Sequence, residues 1–185
     1  MTILALLAGG ASTRMGRDKA AMLIGGQTAL HHLAALGLAA GLPVVVCGRV
    51  APPDWSLPEV RFVPDAQPGQ GPLRGLEAAL ALGDDVLATA CDLPALELDA
   101  ITWICAQVPA EHGVSTIIDG HLQPLFSRFT VACLPLIQKE LFLGRRSPMA
   151  VIRTGTFTKA TPPTAIARQL ADADTPDDWQ RLVRA

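Results

Sequence analysis

The stretch Leu7-Ala8-Gly9-Gly10-Ala11-Ser12-Thr13-Arg14-Met15-Gly16-Arg17-Asp18-Lys19 concentrates three glycines, two hydroxyls and three cations in one short segment. Glycines let a backbone turn tightly and bring bare N–H groups up to an anion, and the cations supply the opposite charge. The segment follows the apolar run Ile3–Leu7, which has the length and composition of a buried strand. A strand feeding such a loop is a candidate site for the phosphates of a nucleotide. A flexible glycine/serine loop with incidental basic residues is the alternative. The fixed order of strand, glycines, arginine and lysine argues against it.

Two phosphate-loop patterns are excluded by the residues themselves. A Walker loop needs Lys followed by Ser or Thr after its glycines, but Lys19 follows Asp18 and precedes Ala20, which has no hydroxyl for a metal. A dinucleotide fingerprint begun at Gly9 would need glycines where Ala11 and Arg14 stand. What remains resembles the opening of the sugar-phosphate-type nucleotidyltransferases, Leu-x-Gly-Gly-x-Ser-x-Arg-Met-Gly-x-x-Lys. Within that superfamily, Leu-Ala-Gly-Gly followed by Arg-Met-Gly-x-Asp-Lys is most similar to the molybdenum cofactor guanylyltransferases, the MobA family.

That resemblance implies an Mg²⁺-dependent transfer of GMP from GTP to the terminal phosphate of molybdopterin, with release of pyrophosphate. It implies that Leu7, Ala8, Gly9, Gly10, Lys19, Asp65 and Asp92 bind the nucleotide. Arg14, Lys19 and Asp92 carry catalysis in the same reading, and Asp92 holds the metal. Asp92 stands in Cys91-Asp92-Leu93-Pro94, like the Cys-Asp-x-Pro of resembling sequences, directly after the apolar run Val86–Ala90. A hard oxygen ligand suits Mg²⁺, whereas a turn-forming or helix-capping aspartate is the plainer reading. Asp65 precedes a segment ending Gly71-Pro72-Leu73-Arg74-Gly75, similar to the family's Asp followed by Gly-Pro-Leu-Ala-Gly with Arg74 in place of alanine. A solvated turn aspartate is the alternative there, and Arg74 could add a phosphate contact or point to water.

On the acceptor side, Gln123-Pro124-Leu125-Phe126 and Gly144-Arg145-Arg146-Ser147 resemble family segments, and the paired arginines could receive a phosphate-bearing pterin. Two departures touch the choice of base. Cys47 stands where relatives usually place a nucleotide-binding asparagine, and a thiol replaces an amide poorly. Asp172 and Asp174 replace two asparagines before Thr175-Pro176, a variant similar to the cytidylyltransferase relatives. Asp174 reads as a second metal or substrate ligand, or as a plain cap of the helix that follows. A CTP-using cytidylyltransferase is therefore the rival enzyme, and a non-catalytic nucleotide-binding module that delivers cofactor is the rival from another class.

The elements that must position these residues alternate between strand and helix patterns. They predict an α/β fold, a single-domain three-layer α/β/α arrangement with a mostly parallel, Rossmann-like sheet. Strands are expected at Thr2–Leu7, Pro43–Cys47, Arg61–Val63 and Val86–Ala90, with ligands outside their carboxyl ends. Helices are expected from a Thr28 cap to about Ala40, over Leu76–Leu82, and over about Leu98–Val108. A hairpin then pairs Ser115–Ile118 with Leu122–Phe126 through Asp119-Gly120. Helices at about Cys133–Leu143 and Ser147–Arg153, a strand near Thr156–Lys159 and a helix from Pro176 complete the chain. One domain is expected over 1–185, with a nucleotide-binding part to about 110 and an acceptor-side part from about 111.

Composition bounds the partners. The chain has 185 residues, 17% of them charged, and a net charge of −2, which leaves no general footprint for nucleic acid. Aromatics are 4% with no tyrosine, which also argues against base-stacking platforms. No fully charged residue occurs between Ala20 and Gly48, but glycines, histidines and a proline punctuate that stretch, so no membrane span is expected. The four cysteines lack Cys-x-x-Cys or zinc spacing and read as buried, reduced residues of a cytoplasmic protein. The histidines (His31, His32, His112, His121) fit no nucleophile or metal spacing and read as structural or surface residues. The resemblance implies GTP and a molybdopterin-type cofactor as substrates, and handover contacts to molybdoenzymes or a cofactor chaperone.

Overall fold

Successive strand residues point to opposite faces, and in an apolar strand that puts two cores on one sheet. Strand β1 (Thr2–Leu7) sends Leu4 and Leu6 into one buried cluster, and Ile3, Ala5 and Leu7 into another. The computed structural model describes residues 1–9, 18–65 and 71–184. After β1 come a short hairpin of β2 (Leu23–Ile24) and β3 (Gln27–Thr28), helix α1 (Ala29–Ala39), β4 (Val44–Cys47), β5 (Arg61–Val63), α2 (Pro72–Leu80), β6 (Asp85–Thr89) and α3 (Leu98–Cys105). The chain continues through β7 (Gly113–Ile118), β8 (His121–Thr130), α4 (Leu134–Phe142), α5 (Met149–Thr154), β9 (Phe157–Ala160), α6 (Thr164–Gln169) and α7 (Pro176–Arg184).

Seven strands form one sheet in the order β5-β4-β1-β6-β8-β7-β9. The expected three layers follow from the two clusters. Leu30 and Leu33 of α1, Ile101 and Ile104 of α3, and Ile166 of α6 pack on one face. Leu73 and Leu76 of α2, Ile137 of α4, and Val151 and Ile152 of α5 pack on the other. The sheet is mostly parallel, as expected. Only β8 runs against its neighbours, because the Asp119-Gly120 turn folds it straight back on β7. Both turn residues take positive φ, 49° and 79°, the geometry a two-residue hairpin needs.

Local chemistry sets the ends of the helices. The Thr28 hydroxyl accepts from the His31 N–H at 3.2 Å to start α1, and Gly41 follows its end at φ 73°. Helix α2 begins at Pro72, one turn earlier than Leu76, and ends at Leu80. Proline in the first turn lacks only an N–H that would have no partner inside the helix, and the Leu73–Leu76–Leu80 stripe pulls the added turn onto the sheet. Helix α3 stops at Cys105, short of Val108, because Arg128 of β8 takes its terminal carbonyls: Ile104 at 3.3 Å, with Cys105 and Gln107 at 3.0 Å. The same buried guanidinium pairs with Asp85. Helix α6, β2 and β3 had no clear sequence signal, and β8 extends beyond Phe126 to Thr130.

The Arg128–Asp85 pair joins β8, β6 and α3, and removing one partner strands a buried charge. Arg128→Met is expected to cost about 3–5 kcal/mol, read as a shift in the urea midpoint with an unchanged slope. A loss below about 1 kcal/mol would show that the pair behaves as a surface one.

All four cysteines are free thiols. Burial pushes Cys47, Cys91 and Cys133 up to about 12. The thiolate is the nucleophile, so raising the pH from 7 to 9 should speed iodoacetamide labelling of these three in urea but not in the native protein. Mass spectrometry of native and urea-treated samples reads this directly.

Candidate active site

The register brings four strand ends to one edge. Leu7 lies opposite Cys47, Cys47 opposite Val63, and Leu6 opposite Thr89. The chain builds β4 and β5 on one side of β1 and then crosses to β6 on the other. This is a switch point, where open α/β sheets bind ligands beyond the carboxyl ends. The residues that follow these ends are Gly9, Gly48, Asp65 and Asp92.

The floor of this edge is made by two glycines in near contact. A Cβ on Gly48 would lie 2.4 Å from the Cα and 2.5 Å from the nitrogen of Gly9. Gly48 also holds φ 97°, which side chains other than hydrogen rarely tolerate. A Cβ on Gly9 would meet the Asp65 carboxylate at 2.7 Å, so Asp65 sits directly against Gly9, two residues past β1. Its negative charge adds to burial in raising the Cys47 thiol. Ala8 gives its N–H to the Cys47 carbonyl at 2.9 Å, so that donor is used by the sheet.

Lys19 opens a single turn of 3₁₀ helix, Lys19–Ala21, capped by Asp18, whose carboxylate accepts from the Ala20 N–H at 3.1 Å. The Lys19 ammonium reaches Asp92 at 3.7 Å and Asp174 at 3.6 Å. Asp174 arrives because the Ala173 N–H donates to the Asp92 carbonyl at 2.9 Å, while Ala173 is buried with Ala29 and Trp179. Burial raises the Asp92 carboxyl, Lys19 opposes that, and the charges of Asp172 and Asp174 raise it further. Capping of α7 falls to Thr175, whose hydroxyl accepts from the Asp178 N–H at 3.1 Å. Asp174 is thereby left facing Lys19.

The acceptor-side segments reach the same edge. Thr89 pairs with Phe126, so Gln123–Leu125 run on past the end of β6, alongside the segment that leads to Asp92. The Arg146 carbonyl accepts from the Leu73 N–H at 3.0 Å, and a Cβ on Gly71 would strike the Arg146 side chain at 2.7 Å. The turn between α4 and α5 therefore docks on the start of α2. Arg145 pairs with the buried Glu140 at 2.7 Å, and Arg74 pairs with Glu77 one helical turn on at 2.5 Å. Both interactions are local ones.

Of the expected site residues, Leu7, Ala8, Gly9, Lys19, Asp65 and Asp92 converge on this edge. Gly10 and Arg14 lie outside the described residues, as do 66–70. Arg49, two residues past the end of β4, has no role in the sequence reading. Its guanidinium donates to the Ala8 carbonyl at 3.2 and 3.0 Å and to both Asp18 oxygens at 3.0 and 3.1 Å. No local pattern announces this, because the partners lie far back along the chain.

Among the described residues no group of three or more His, Cys, Asp or Glu side chains could enclose a metal. Asp92 with Asp174 across Lys19 still fits Mg²⁺, which is bound through one or two carboxylates while it keeps waters and substrate phosphates. No helix among the described residues is long and apolar enough to cross a membrane.

Known proteins resemble this chain in sequence and in fold. The profile of the MobA-like NTP transferase domain matches residues 4–160. A probable molybdenum cofactor guanylyltransferase of Carboxydothermus hydrogenoformans is 31% identical over 191 residues, covering 97% of this chain and 94% of that one. One from Deinococcus radiodurans is 40% identical over 152 residues, covering 77% and 74%. Among solved structures, molybdopterin-guanine dinucleotide biosynthesis protein A from Archaeoglobus fulgidus superposes with a TM-score of 0.74 at 18% identity, covering 100% of this chain and 97% of that one. A 4-diphosphocytidyl-2C-methyl-D-erythritol synthase superposes at 0.68 with 16% identity, covering 99% and 97%, and shows the same fold. The strand-end edge, the Lys19–Asp92 pair and these likenesses lead to one conclusion: the chain belongs to the MobA-like NTP transferase family, in the branch of the molybdenum cofactor guanylyltransferases.

Proposed function

We propose that this chain transfers GMP from GTP to the terminal phosphate of molybdopterin and releases pyrophosphate. An oxygen of the acceptor phosphate forms a new bond to the α-phosphorus, and the bond from that phosphorus to the β-phosphate oxygen breaks with its electrons leaving on pyrophosphate. The attacking group is already an anion, so no strong base is required. The task is to align two polyanions and offset their repulsion.

The observation that carries this reading is Lys19 set between Asp92 and Asp174 at the switch point, with Gly9 packed on Gly48 at the same sheet edge. Lys19 and Arg14 neutralise the phosphate charge in this reading. Leu7, Ala8, Gly9, Gly10 and Asp65 hold the nucleotide. Asp92, with Asp174 beside it, holds Mg²⁺, which supplies charge neutralisation to the phosphates when bound. The acceptor lies toward Gln123–Leu125 and the Arg145–Arg146 turn. We read the chain as one domain, its first 110 or so residues serving the nucleotide and the remainder the acceptor, and place it in the cytoplasm with its thiols reduced.

Asp172 and Asp174 give CTP the better claim among other nucleotides. Screening the four nucleoside triphosphates for Mg²⁺-dependent pyrophosphate release with molybdopterin present tests the reading. Release with GTP is the expected result. Preference for CTP moves the chain to the cytidylyl class, and tight GTP binding without release makes it a delivery module.

A further inference from the structure

Arg49 presents five N–H donors in a rigid planar fork, and four of the donor contacts it could make are already filled by two acceptors, the Ala8 carbonyl and the Asp18 carboxylate. Ala8 is the residue after β1, and Asp18 is the cap of the turn that Lys19 opens. One side chain therefore ties the end of the central strand to the residue just before the lysine. Its paired bonds to a single carboxylate are the geometrically demanding kind. Arg49 can stand there because Gly48, at φ 97° and against Gly9, brings the chain that leaves β4 close to the end of β1. The arginine is spent on holding protein groups and has little left for a phosphate.

We infer that Arg49 is a positioning residue for the transfer reaction, acting through Asp18 to fix Lys19 against Asp92. This rests on the reading that Lys19 faces the nucleotide phosphates. A lysine at 49 keeps the charge but cannot bridge Ala8 and both Asp18 oxygens, so charge and geometry can be separated.

The test combines kinetics with a readout that needs no substrate. In Arg49→Met, kcat/KM for GTP falls about tenfold to a hundredfold, from the usual effect of removing a supporting contact. Arg49→Lys restores only a small part, and the urea midpoint stays near the wild-type value. In a Lys19→Ala background the further change from Arg49→Met is less than about twofold, because the arginine works through the lysine. Asp18→Asn in the Arg49→Met background is likewise nearly silent. Amide exchange at Ala20–Met22 in the substrate-free protein speeds up in Arg49→Met. Multiplicative losses in the Lys19→Ala background would mean that Arg49 contacts the nucleotide itself and overturn the inference, as would full activity in Arg49→Met or Arg49→Lys. If the wild-type protein turns over no GTP, the functional reading fails. Unchanged amide exchange then overturns the clamp separately.

Discussion

Alanine at Lys19 or at Asp92 is expected to lower kcat by about 10²–10³, the usual loss when one preorganised charge contact to a developing transition state is removed. Neither change should unfold the chain. Both side chains stand at the sheet edge outside the two cores, and the Asp92 carbonyl that holds Ala173 belongs to the backbone. The two variants separate by their response to Mg²⁺. Asp92→Ala should need far more of the ion to reach its residual rate, whereas Lys19→Ala should keep the wild-type dependence and lose rate at every concentration. Steady-state pyrophosphate release across an Mg²⁺ series reads both. Wild-type turnover in either variant would remove that residue from the mechanism.

Gly48→Ala is expected to have the second largest effect, for a steric reason. The new methyl would lie 2.4 Å from the Gly9 Cα, which is backbone and cannot rotate away, and alanine disfavours φ 97°. The strain alone is worth about 1–2 kcal/mol. Relieving the clash moves the Gly9 backbone, so KM for GTP should rise at least about tenfold, because misplacement near 1 Å costs about a hundredfold. Gly41→Ala is the control. Gly41 also has a positive φ, 73°, but nothing lies within 4 Å of its would-be Cβ. It should lose a similar strain energy in urea titration and leave KM for GTP unchanged. Equal kinetic behaviour of the two variants would mean that the Gly9–Gly48 contact does not shape the nucleotide site.

The parts of this molecule that are legible in its sequence are those fixed by neighbours along the chain. Thr2–Leu7 is a strand because an apolar run ends at Ala-Gly-Gly, Thr28 caps a helix that Gly41 follows, and Asp119-Gly120 closes a hairpin. Asp65 and Asp92 could be placed at strand ends for the same reason. The start of α2 was hidden because Gly71-Pro72 reads equally as a loop and as the opening of a helix. Helix α6 was hidden because six residues after two prolines are too few to show a period. The clamp of Arg49 and the arrival of Asp174 at Lys19 depend on tertiary packing alone. The latter rests on the backbone bond from Ala173 to Asp92 and on the burial of Ala173 beside Ala29 and Trp179.

GTP labelled at its α-phosphorus, incubated with molybdopterin, Mg²⁺ and the wild-type chain, tests the central claim most directly. Label should pass into the pterin product in equal amount to the pyrophosphate released, and Asp92→Ala should slow both together by the same factor. Pyrophosphate release without labelled pterin, or transfer from labelled CTP in preference to GTP, would contradict the account.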